Sequence, residues 1–240
     1  MTARTNRKRT DRNRMVLPVV VAIAAALVAG AMAIGAARGS DDDAARAAAG
    51  RPPAGSEPVA GPEARGAGPM ARGDADAPVV MVMYSEFQCP FCGAYARETE
   101  PELVERFVED GTLRIEWRDL PYLGAESLQA AVAGRAAAEQ GAFWELADAL
   151  YADQAPPNSG RLTAEHLVGV ASELGLDAEQ FRTDMQDEAL MDDVRADVDE
   201  AVGFGVTGTP AFFVNGQVIM GAQPTQVFVE AIERAATAAR

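Results

Sequence analysis

The sequence predicts an α/β domain whose strand and helix alternation is interrupted by a long helical block, and three observations carry that prediction. Pro78-Val79-Val80-Met81-Val82-Met83-Tyr84 is a continuous apolar, β-branched run, the pattern of a strand buried on both faces. Residues 121–205 are rich in Ala and Leu, with apolar positions near helical spacing. Beyond Gly205 strands return as Ala211-Phe212-Phe213-Val214 and Gln217-Val218-Ile219-Met220, joined by Asn215-Gly216. Asn-Gly is the preferred two-residue hairpin turn because both central positions need positive φ.

The remaining elements follow in chain order. After Cys92 the spacing of Leu103, Val104, Phe107 and Val108 predicts a helix, with Pro101 as a kink and Asp110-Gly111 as the stop. Leu113-Arg114-Ile115-Glu116-Trp117-Arg118 alternates apolar and charged, so it reads as a strand. The helical block is marked by Leu128, Ala131, Val132 and Arg135, then Phe143, Leu146, Leu150 and Tyr151, then Leu167, Val170, Leu174 and Phe181. Pro224 to Ala238 closes the chain as an amphipathic helix. The order is strand, helix, strand, helical block, hairpin, helix.

Charge divides the chain. Residues 1–40 hold seven Lys/Arg against Asp11 alone, a balance of +6, which leaves −21 on residues 41–240 to reach the total of −15. An acidic body without a basic patch repels phosphate backbones, which excludes nucleic acid as a partner class. Residues 1–14 form a basic segment predicted to be cytoplasmic, and Met15 to Ala37 follows without one charged side chain. Those 23 residues at about 1.5 Å rise reach across a hydrocarbon core of about 30 Å. Residues 15–37 are therefore read as a transmembrane signal-anchor, with the positive charge inside and the body of the protein outside the cell membrane. The competing reading is a cleaved signal peptide, since Ala31-Met32-Ala33 offers a small-x-small site. Residues 38–77, dominated by Ala, Gly, Pro, Asp and Arg, read as a flexible linker, and 78–240 as the folded domain with its helical insertion at about 121–205.

Chemistry concentrates at Cys89-Pro90-Phe91-Cys92, which holds the only two cysteines of the 240 residues. A helix beginning at Cys89 presents unpaired N–H groups and the positive end of its dipole to the first sulfur. Such sites lower a thiol pKa from about 8.5 to about 3.5–7.5. Cys89 becomes both nucleophile and good leaving group at neutral pH. Cys92, one turn on and on the same side, is positioned to attack a mixed disulfide at Cys89, and Pro90 fits the first helical turn. This exchange needs no cofactor beyond the redox-active pair. A zinc site would need further ligands, and the chain offers only His166, so no metal is expected. Gly203-Phe204-Gly205-Val206-Thr207-Gly208 matches a dinucleotide fingerprint, but it follows a helix and leads into a strand, the reverse of what that fingerprint requires.

Two segments, Tyr84-Ser85-Glu86-Phe87-Gln88-Cys89-Pro90-Phe91-Cys92 and Val206-Thr207-Gly208-Thr209-Pro210-Ala211-Phe212-Phe213-Val214-Asn215-Gly216, resemble the DsbA-like thiol:disulfide oxidoreductase family. The resemblance covers Pro78 to about Ala238. It implies a thioredoxin-like fold with an inserted helical domain, here preceded by an N-terminal transmembrane helix and a disordered linker. It also implies that Pro210 is a cis-proline packed beside the cysteines, and that the Thr209 backbone pairs with an extended substrate. Two departures matter. The family's strongest oxidants carry histidine beside the second cysteine, where this chain has Phe91, which implies a milder oxidant. The buried acid often found six residues before the first cysteine is replaced by Met83, leaving Glu86 as the nearest carboxylate and a substitute for it.

The resulting expectation is an extracytoplasmic thiol-disulfide oxidoreductase acting on cysteine-containing exported proteins, with a membrane redox partner. Oxidase is the favoured direction. The alternatives are an isomerase or reductase kept reduced by a membrane donor, a reading that Thr209 keeps open, and a non-catalytic exported peptide-binding or chaperone-like module.

Overall fold

The computed structural model describes residues 60–240. The predicted basic segment, signal-anchor and first part of the linker lie outside the described residues. Among the described residues no helix is long and apolar enough to cross a membrane.

The first strands are β1 (Ala71–Arg72) and β2 (Val79–Ser85), followed by helices α1 (Pro90–Glu98) and α2 (Glu100–Leu103). Strand β3 (Leu113–Asp119) precedes the helical block of α3 (Ala125–Glu139), α4 (Phe143–Ala152), α5 (Ala164–Glu173), α6 (Ala178–Asp184) and α7 (Glu188–Gly203). The hairpin β4 (Ala211–Val214) and β5 (Gln217–Met220) and helix α8 (Thr225–Ala238) complete the fold. From β2 onward the predicted order is the observed one, and β1 precedes it. Asn215 and Gly216 both adopt positive φ, 43° and 87°, as the hairpin turn demands. Pro101 stands in the first turn of α2, where the helical path breaks at Thr99, and α2 continues through a π-helical turn, Val104–Val108, closed by Glu109 N–H donating to Val104 O at 3.0 Å.

The sheet order is β1-β3-β2-β4-β5. Strands β2 and β3 are parallel from Val79 opposite Leu113 to Ser85 opposite Asp119, and the other pairings are antiparallel. Because side chains alternate across a strand, β2 feeds two cores. Val79, Met81 and Met83 join Ile115, Trp117, Phe212 and Phe228 with most of the helical block on one face. Val82 and Tyr84 join Phe213, Val206 and Ala201 on the other. An aromatic group ties the insertion to the sheet: Trp117 lies 5.1 Å from Phe87, 5.2 Å from Phe143 and 6.5 Å from Trp144, centroid to centroid.

One sequence expectation changes here. The predicted linker extends too far, because residues from Glu63 onward belong to the fold. Ala71–Arg72 pair with β3, Trp117 N–H donates to Met70 O, and Arg65 reaches Asp197 and Glu200 on α7. The charged face of β3 is buried. Arg114 and Arg118 both bond the Glu116 carboxylate, which also accepts the backbone N–H groups of Arg65 and Gly66. Paired in this way, the charges are tolerated where isolated ones would not be.

At the centre of the network Asp197, fully buried, accepts from Arg135 Nη2, Arg65 Nη1 and the backbone N–H of Asp119. Asp197→Ala leaves Arg135 Nη2 and that amide without an acceptor. It is expected to lower stability by about 3–5 kcal/mol, the cost of breaking a buried pair, read from urea unfolding midpoints.

Candidate active site

The site forms where β2 ends and β4 begins. Tyr84 lies opposite Ala211 in the sheet, so the chain leaving β2 at Ser85 passes directly beside Thr209 and Pro210. Cys89 is the N-cap of α1, and its sulfur accepts the Cys92 backbone N–H at 3.4 Å. Pro90 occupies the first turn, where a missing N–H costs nothing. Gly93 follows because a side chain there would collide with the Gln154 amide. Gln154, in the loop after α4, donates to the carbonyls of Phe87 and Cys89 at 2.9 and 3.0 Å and holds the segment in place.

Cys89 and Cys92 are free thiols, each only 1% exposed. Hydrogen bonding to Cys92 brings the Cys89 pKa down to about 6 against the opposing effect of burial, helped by Thr209 and by the backbone of Cys92 and Phe91. Cys92 moves the opposite way: burial pushes it well above the ordinary thiol value, the neighbouring Cys89 adds to the rise, and Ser85 and Thr209 oppose it. The two sulfurs are thereby divided into a thiolate and a thiol at neutral pH.

The Thr209–Pro210 peptide bond is cis, and the Cys89 thiol donates to Thr209 O at 3.4 Å. Glu86 is buried close to the pair, and neither of its carboxylate oxygens has a hydrogen-bond partner among the described residues. Burial lifts its pKa to about 7, Ser127 and Leu123 work against the rise, and Cys89 adds to it. Met83, at the position six before Cys89, is simply core. Phe91 is 66% exposed at the surface between the cysteines.

All seven residues singled out in the sequence gather at this one end of the sheet. Four others were not legible there. Tyr122, 51% exposed in the loop after β3, neighbours Thr209 and feels the charge of both cysteines. Ser85 pairs with the Tyr151 phenol, which donates to Glu86 O, and Gln154 donates to Cys89 O, so that Tyr151 and Gln154 bring the insertion to the segment that carries the pair. The collision at Gly93, directly after the motif, was the one local signal of a close neighbour.

The division of the thiols has a direct readout. In the reduced protein, thiolate absorbance is expected to appear with a midpoint near pH 6 and to amount to one sulfur per chain. Thr209→Val removes a contributor and should raise the midpoint.

Comparison with known proteins agrees with this geometry. A family profile described as thioredoxin matches residues 66–234. The probable disulfide bond formation protein D of Bacillus anthracis is 31% identical over 150 residues, 61% of this chain and 69% of that protein. The Na(+)/H(+) antiporter NhaA 3 of Salinispora tropica is 38% identical over 171 residues, 70% of this chain but 25% of the antiporter, so the chain spans about a quarter of that relative's length. Among solved structures, oxidised BdbD from Bacillus subtilis shares the fold, with a TM-score of 0.66 and 22% identity over 70% of this chain and 92% of that one. The chain belongs to the thioredoxin family and, within it, to the DsbA-like thiol-disulfide oxidoreductases.

Proposed function

We propose that this chain oxidises cysteines of exported proteins from a membrane-tethered position outside the cytoplasm. The observation that carries the reading is the unequal acidity of Cys89 and Cys92. A pair whose reduced form is stabilised as a thiolate gives up its disulfide readily, and each unit by which the thiol pKa falls below the ambient pH makes the disulfide about 30 mV more oxidising. At about 6, Cys89 lies between thioredoxin, near ~7, and DsbA, near ~3.5, which fits a mild oxidant.

In the forward direction a substrate thiolate attacks Cys89 Sγ, the Cys89–Cys92 bond breaks, and its electron pair goes to Cys92. A second substrate thiolate then attacks the substrate sulfur of the mixed disulfide, and Cys89 leaves as a thiolate. The substrate loses two electrons and the cysteine pair gains them. Cys92 attacking the mixed disulfide is the reverse path, which releases a substrate unoxidised. Thr209, preceding Pro210, frees its carbonyl from the Cys89 thiol once that sulfur is engaged, and so can pair with an extended segment. The exposed rings of Phe91 and Tyr122 offer that segment apolar contact. Glu86 titrates against Cys89, holding its proton more firmly when the thiolate forms, and so couples reduction of the pair to proton uptake.

The location rests on the uncharged stretch Met15–Ala37 behind a basic segment. The relative named as an antiporter supports a membrane setting, since a sequence of this kind makes up about a quarter of it. A membrane redox partner would then return the pair to the disulfide.

Thiol trapping in intact cells tests the direction of flow. An oxidase is found mostly as the Cys89–Cys92 disulfide, whereas a mostly reduced pool establishes the reductase or isomerase reading instead. Cys92→Ala is expected to accumulate mixed disulfides through Cys89 on non-reducing gels. Their absence, with full biological activity in a double Cys→Ser variant, would favour a non-catalytic binding module.

A further inference from the structure

We propose that Gln154, carried by the helical insertion, is a positioning residue that holds Cys89 in its reactive geometry, and that residue 93 is a glycine in order to admit it. The proposal rests on disulfide exchange at Cys89, and gives the insertion a part in that chemistry which the cysteine motif does not contain.

Two glutamines grip one another's chain segments. The Gln154 amide nitrogen donates to Phe87 O at 2.9 Å and to Cys89 O at 3.0 Å, one proton to each. A carbonyl only accepts, so these partners also fix which end of the amide faces them. Between them the buried Gln88 side chain runs the other way, donating to Ser127 Oγ at 2.8 Å and accepting the Asn158 backbone N–H at 2.7 Å. Asn158 belongs to the same loop as Gln154, between α4 and α5, and Ser127 lies on α3. Three successive residues, 87 to 89, are thus each bonded to the insertion.

Pinning two carbonyls two residues apart pins the backbone torsions between them, and those torsions decide where the side chain of the helix cap points. Cys89 stands at φ −69° and ψ 118°, the extended conformation of an N-cap, from which its sulfur accepts the Cys92 N–H at 3.4 Å. Its carbonyl takes the first bond of α1, from Gly93 N–H at 3.1 Å, and Gln154 fills the second lone pair. Loss of Gln154 therefore acts on the sulfur by two routes. The cap conformation loosens, and the carbonyl of the nucleophile recovers its full negative end. Both disfavour a thiolate.

Gly93 bears the mark of this contact. It lies inside α1 without the positive φ that would call for glycine, at a position where alanine would favour the helix. A Cβ there would overlap Gln154 Oε1 and come within 2.7 Å of Arg97 Nη1. Both atoms end flexible side chains, so a methyl group is accommodated by pushing the Gln154 amide off its two carbonyls, with the backbone left in place.

The experiment follows thiolate absorbance against pH in the reduced full-length protein, and its redox equilibrium with glutathione at about pH 8, above the Cys89 midpoint near 6. Gln154→Ala should raise that midpoint by about half to one unit, the size of a lost helix cap, and make the disulfide about three- to tenfold harder to reduce. Gly93→Ala, which keeps Gln154 but displaces it, should shift the midpoint the same way. The double variant should shift no further than Gln154→Ala alone, because the methyl then enters vacated space. Phe181→Leu, a buried change on α6, loosens the insertion elsewhere and should lower the unfolding midpoint while leaving the Cys89 midpoint near pH 6. A Cys89 midpoint unmoved by Gln154→Ala, shifts that add in the double variant, or an equal shift in Phe181→Leu would each overturn the proposal. Gly93→Ala decides the question by itself if Gln154→Ala does not fold. A wild-type Cys89 that ionises no more readily than free cysteine would instead overturn the exchange reading beneath it.

Discussion

The alignment of two strand ends governs this molecule. Strand β2 finishes at Ser85 while its antiparallel neighbour β4 starts at Ala211, and the register between them sets Tyr84 against Ala211. A shift by one residue would carry every side chain of β2 to the opposite core. That register is what brings a loop more than a hundred residues away against Cys89, so that the Thr209 carbonyl accepts from the Cys89 thiol. Parallel pairing with β3 fixes the same strand from its other side, since Ser85 also lies opposite Asp119, whose carboxylate takes hydrogen bonds from Trp117 and Arg135.

The electrostatics of the site and of the scaffold obey one rule with opposite outcomes. Around Glu116 and Asp197 burial is offset by charge of the other sign, and against the rise that burial causes, the Arg65 amide, Arg118 and Arg114 hold the Glu116 carboxyl below its usual range. Around Glu86 no cation offsets burial, and the carboxyl rises to about 7. Glu100, nearly enclosed and reached by Arg72, also rises to about 7, because one cation at 3.3 Å does not outweigh its desolvation. Glu116 is thus a satisfied carboxylate of the scaffold, while Glu86 beside the thiols is an unsatisfied one.

What could be read from the sequence follows the same division. Cys89, Cys92, Pro210 and the Asn215-Gly216 turn were legible because each depends on local chemistry: a spacing of three, a ring that fixes φ, a turn that needs positive φ. The fate of Arg114, Glu116 and Arg118 was not legible. Alternating charge on a strand ordinarily means a solvated face, and the groups that neutralise this one lie at Arg65 and Glu200, far along the chain. β1 was hidden for a similar reason, as two residues in an Ala- and Gly-rich stretch carry no periodicity and acquire strand geometry only from β3. Tyr122 and Tyr151 looked like any other aromatic residue, and their roles come from where the insertion folds back.

Helix α7 is buried in both cores, through Leu190 and Val194 on one side and Ala201 on the other, with Asp197 bonded between them. It ties insertion and sheet together along one helix. A substitution that shortens or kinks this helix therefore loosens both layers at once, since the same element packs into each.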